Sequence, residues 1–180
     1  MTVFGAFVGV SLWLPKYYVD NYHVELRTAG LLAALFVIAA SLIRPVGGAF
    51  SDKFGGRNVM LVSLGTSATM SLLLTFPMAL HEFATIVVLL GLGLGIGTAA
   101  VYSYIPQYFP EDVGAVGGLV GAIGAVGGFV LPLTFALVIN ISHRPQAVYI
   151  VLLALSFYSA MFLAFAISGL RPPTDPLHDK

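Results

Sequence analysis

Gly47-Gly-Ala-Phe-Ser-Asp-Lys-Phe-Gly-Gly-Arg57 separates two long apolar runs with three charges and four glycines. A link this tight needs glycine for backbone freedom, and its charges hold the ends of both runs at a water-facing surface. Two readings fit it: a capped turn, or a conformational latch whose ion pairs break when the flanking helices rock. The run on either side, residues 28–50 and 59–78, is long enough to cross a hydrocarbon core of about 30 Å as a helix. Helix is the default there, because an open sheet edge in lipid leaves backbone groups unsatisfied.

The rest of the chain repeats the pattern. Of 180 residues, 58% are hydrophobic and 9% charged. Mean hydropathy is +0.96. A soluble domain of this size cannot hide so much apolar surface. Soluble globular, disordered, collagenous and disulfide-rich classes are therefore excluded. Six spans of about 20 residues each account for roughly two-thirds of the chain and leave no room for an extramembrane catalytic domain. The expected architecture is an all-α membrane protein with one bundle over residues 1–170. Its six transmembrane helices fall near 1–18, 28–50, 59–78, 84–109, 113–141 and 147–170, and a polar tail covers 171–180. His81-Glu82 and Pro110-Glu-Asp112 mark turns. Trp13, Tyr17, Tyr18 and Tyr22, and later Tyr102, Tyr104, Tyr108 and Phe109, suit membrane–water interfaces. The first span is short and lacks a polar lead, as though the chain starts inside a helix. With no basic residue ahead of it, it does not read as a cleaved secretory signal.

Charge and chemistry bound the function. Eight Lys+Arg balance eight Asp+Glu, so no basic surplus points to nucleic acid. There is no Cys, and the four His lie near turns or in the tail without helical pairing, so no metal and no cofactor is expected. An enzyme needs paired carboxylates, a His cluster or a Ser/His pair at one depth, and none is visible. Lys53, Arg57, Arg171 and Lys180 lie on one side of a six-span layout, against Lys16, Arg27 and Arg144 on the other. The positive-inside rule then places the first side, with the C-terminus, in the cytoplasm.

Two features inside the spans carry chemistry. Arg44 is the one charged residue well within a span, followed directly by Pro45. It either snorkels to the nearby interface or faces the bundle interior. Pro45 removes a backbone hydrogen bond and disfavours helix at Arg44, so a kink is expected. No carboxylate lies at that depth, so an interior guanidinium suggests an anionic ligand, which it matches by bidentate hydrogen bonds. Residues 114–132 read GAVGGLVGAIGAVGGFVLP. Gly114, Gly118, Gly121, Ala125 and Gly128 line one helix face. Such a face packs helices closely, and it also lets a small solute approach backbone. The GLGLGIG run of residues 91–97 superficially suggests a nucleotide loop but lacks the strand that such a loop follows.

The turn with Gly48, Asp52, Lys53, Gly55 and Arg57 resembles the cytoplasmic loop signature of the major facilitator superfamily. Residues 95–132, above all GAIGAVGGFVLP, resemble the nitrate signature of its nitrate/nitrite porter family. Ile43-Arg44 and the opening Phe4-Gly-Ala-Phe7-Val-Gly9 are similar to that family's eighth- and seventh-helix motifs. The resemblance covers residues 2–170 and matches only the second, C-terminal half of the family pattern. It implies one of two pseudo-symmetric six-helix bundles, with the solute between them near the midplane. It implies nitrate or nitrite as solute. Arg44 is then one of two arginines gripping the anion, Phe4 one of two aromatics on its flat face, and Gly121 and Gly124 line the path. The expected function is transport of nitrate or nitrite by alternating access in the cell membrane. The alternative is an inactive fragment or a non-transporting membrane subunit. The expected partners are the anion, membrane lipid and a missing N-terminal six-helix half, supplied by the same gene, by a split partner or by a second copy.

Overall fold

In the computed structural model the described residues are 2–168, with side chains described to Phe165. Every regular element among them is a helix: α1 Thr2–Tyr22, α2 Leu26–Leu42, α3 Arg44–Phe54, α4 Gly56–Leu73, α5 Leu80–Tyr108, α6 Val113–Ser142 and α7 Ala147–Ser168. The expected tail at 171–180 and the last two residues of the expected sixth span lie outside the described residues.

α2 and α3 are one bent span. Only Ile43 separates them, and it keeps right-handed helical angles (φ −77°, ψ −15°). The Ile43 N–H still donates to Ala39 and the Gly47 N–H to Ile43, at 3.2 and 2.9 Å. Pro45 has no N–H to donate, so the ladder is interrupted there. The described residues thus fold as six helical rods. Four of them are long and apolar enough to cross a membrane: Leu26–Phe54, Leu80–Tyr108, Val113–Ser142 and Ala147–Phe165. α1 is diluted by Lys16, Asp20 and Asn21, and α4 by Arg57, Asn58 and a run of Ser and Thr.

Helix ends fall several residues beyond several expected positions. α1 runs to Tyr22 rather than 18, and α3 runs to Phe54 rather than 50, taking Asp52 and Lys53 into its last turn. α5 starts at Leu80, so His81 and Glu82 sit in its first turn rather than in a loop. Charged residues are at home in a terminal helical turn, and Glu82 accepts a hydrogen bond from the Ala79 N–H at 3.1 Å.

α5 is the hub, touching α1, α2, α3, α4 and α6, while α1 packs on α6 and α4 packs on α7. Glycine permits these approaches. A Cβ on Gly5 would stand 2.9 Å from the Gly127 Cα, and one on Gly128 would stand 2.6 Å from Val8. Close approach of this kind is how membrane helices gain contact where lipid is as apolar as leucine. Ser63 donates to the Gly93 carbonyl at 2.6 Å, tying α4 to α5.

Two of the first aromatic group face the core rather than the outside of the bundle. Tyr17 and Tyr18 are 3% and 0% exposed. Tyr17 stacks on Phe83 at 4.9 Å, and Tyr149 meets both rings edge-on. These residues pin one end of α1 to α5 and α7. A sequence lists aromatics near a helix end but does not say which side of the helix is inward.

Candidate functional site

Arg44 opens α3 at the bend. Its side chain is half-buried, and its Nε is shielded with no hydrogen-bond partner. The guanidinium carbon sits 5.2 Å from the centroid of the Phe7 ring on α1. Phe7 in turn stacks on Phe36 of α2 at 5.7 Å and 25°. The guanidinium therefore lies against a neighbouring helix of the bundle. Among the described residues the one ion pair joins Lys16 to Asp20 at an exposed position, so no carboxylate neutralises Arg44. A ring face offsets part of the cost of a poorly hydrated cation, but it accepts none of its N–H bonds. An oxygen-bearing anion is the group that a guanidinium fork fits best.

Phe4, one turn before Phe7, is half-buried against α6. A Cβ on Gly124 would stand 2.5 Å from the Phe4 Cδ1, so this glycine makes room for the ring. Gly121, one turn earlier, faces the Tyr102 hydroxyl, which would lie 3.3 Å from an added Cβ. Phe4 and Tyr102 also line a cavity of about 410 Å³ with Thr98, Met60 and Tyr158. The structure thus brings Phe4, Gly124 and Gly121 into one region and Arg44 into another, one turn along α1. No ring, hydrogen-bond or charge contact joins Arg44 to Phe4 among the described residues. The aromatic at Arg44 is Phe7, with Phe36 behind it. The sequence signal for Phe7 was its place one helical turn from Phe4; Phe36 carried none.

The loop residues separate into three roles. Asp52 and Lys53 are exposed in the last turn of α3, where Lys53 complements the helix dipole and lies 5.3 Å from the Phe54 ring centroid. Gly55 alone forms the link, at φ +80° and ψ 129°, a region an L side chain rarely adopts. Gly56 lies under the Tyr104 ring, 2.9 Å from where a Cβ would be, and Arg57 is exposed in the first turn of α4. Gly48 has open space around it. Asp52, Lys53 and Arg57 form no ion pair with one another. No cluster of His, Asp and Glu able to hold a metal occurs among the described residues.

Comparison with known proteins adds the lineage. The profile of the family described as "Major Facilitator Superfamily" matches residues 1–180. The chain is 44% identical over 186 residues to the "Probable nitrate/nitrite antiporter NarK1" of Thermus thermophilus, covering 93% of this chain and 42% of that protein. It is 39% identical to the "Probable nitrate/nitrite transporter NarK2" of Mycobacterium tuberculosis, covering 73% of this chain and 34% of the relative. It is 33% identical to the "Nitrite extrusion protein" of Bacillus subtilis, over 74% of this chain and 34% of that one. The chain spans less than half the length of these relatives.

Proposed function

The chain belongs to the Major Facilitator Superfamily, and from that premise we propose that it takes part in moving nitrate or nitrite across the cell membrane by alternating access. All six helical rods cross the bilayer in this reading, with the Gly55 link and the C-terminus in the cytoplasm. Arg44 grips the anion from this half, and Phe4 and the Gly121 and Gly124 wall line its route. The remaining grip comes from a first six-helix half, carried by a longer form of this chain, a separate partner or a second copy.

The observation that carries the proposal is the state of Arg44: half-buried on the Phe7 ring, with a shielded Nε and no acceptor among the described residues. The relatives' names supply the class of solute. A second reading is a membrane subunit that does not transport by itself.

Reconstitution separates the readings. In liposomes, the chain together with the first half of its Thermus thermophilus relative should carry saturable nitrate or nitrite flux, and the chain alone should carry none. Absence of flux from the pair, with both halves inserted, would refute the transport reading.

A further inference from the structure

We propose that Gly91, Phe36 and Phe7 form a positioning relay that fixes the guanidinium of Arg44 from α5 through α2 and α1. This inference rests on the reading of Arg44 as an anion-binding group. Nothing polar among the described residues holds that side chain: its Nε has no acceptor there and it forms no ion pair with them. Its fixed neighbour is the face of Phe7, at 5.2 Å. Phe7 is held by its stack on Phe36, and Phe36 is 0% exposed. The Phe36 ring fills the space that a side chain at position 91 would need. A Cβ on Gly91 would stand 2.8 Å from the ring's Cδ2, and 3.1 Å from its Cε2 and from the Phe36 carbonyl oxygen.

The backbone beneath Arg44 is set by the same helix. Gly95, one turn beyond Gly91, admits the Ala40 carbonyl and the Ile43 side chain so closely that no Cβ fits. α5 therefore seats the bend through Gly95 and the side chain through Gly91. Interiors at native packing density transmit such displacements rather than absorb them. A ring attracts a cation through its negative face, so a leucine of similar bulk does not replace it. Phe7 is then a positioning residue, acting on the anion through Arg44.

The test is anion uptake by the two-half transporter, with KM and maximal rate measured separately and normalised to membrane level. Phe7→Leu should raise the KM for nitrate by roughly three- to thirtyfold, the range a lost cation–π contact gives, with a smaller change in maximal rate. Phe7→Tyr keeps the ring face and should recover most of that loss. Gly91→Ala should shift KM in the same direction as Phe7→Leu. If Phe7→Leu does not reach the membrane, Phe7→Met fills the volume without a ring and reads the same quantity. An unshifted KM in the ringless variant, or equal damage from Leu and Tyr, overturns the relay while Arg44→Lys still abolishes uptake. Normal uptake in Arg44→Lys overturns the reading beneath it.

Discussion

Among the described residues Arg44 has a shielded guanidinium nitrogen, an aromatic floor and no counter-ion, the state in which a charge in a membrane span is a functional-site candidate. Around it, glycines that look alike in the sequence differ in what they exclude. Gly124 lies within 2.5 Å of the Phe4 ring by its would-be Cβ, Gly121 only within 3.3 Å of one hydroxyl, and Gly118 meets nothing within 4 Å. Gly124→Ala should therefore displace Phe4 and cost about 1–3 kcal/mol, the range for overpacking. Gly121→Ala should cost less, and Gly118→Ala should leave stability within about 0.5 kcal/mol of the parent. Thermal unfolding in detergent checks the order, and a Gly118→Ala loss as large as that of Gly124→Ala contradicts it. At this scale Arg44 was legible in the sequence as an isolated charge in an apolar run, with snorkelling and an interior role both open. Its ring partners were not: Phe36 carried no signal and Phe7 only its place one turn from Phe4, since a phenylalanine in a membrane helix looks the same whether it faces a guanidinium or lipid.

The elements follow from backbone chemistry at a few positions. Pro45 interrupts the ladder and bends one span into α2 and α3, which the Arg-Pro pair announced. The tight link was legible as a turn, but its reduction to the single residue Gly55 was not, because Asp52 and Lys53 sit comfortably in a terminal helical turn. α1 and α6 end in an unusual way. His23 and His143 adopt left-handed angles, φ 52° and 53°, at positions where glycine or asparagine is the ordinary choice. A β-carbon in that region costs about 1 kcal/mol. His143→Gly should thus raise the unfolding midpoint of the purified chain by roughly 2–4 °C. An unchanged or lower midpoint would show that the imidazole supplies compensating contacts.

Across the whole molecule, the glycine face of α6 is divided between two uses. Gly124 and Gly128 are pressed against Phe4 and Val8 of α1, whereas Gly114 and Gly118 have open space beside them, as does Gly48 on α3. The sequence showed a continuous small face; which part is occupied depends on the crossing of α1 over α6, which no local pattern encodes. The open part suits close approach by a first half in the proposed transporter. Gly118→Leu should leave the thermal midpoint of this chain alone nearly unchanged and still reduce flux when the two halves are reconstituted together. Undiminished flux at equal insertion would mean that this face does not meet the first half. The proposal as a whole turns on Arg44, and the most direct measurement is saturable nitrate uptake into proteoliposomes containing both halves, with Arg44 intact or changed to Lys. Lysine keeps the charge but loses the planar fork, so saturable uptake should disappear in Arg44→Lys at normal insertion; uptake equal to that of the parent would contradict the assignment.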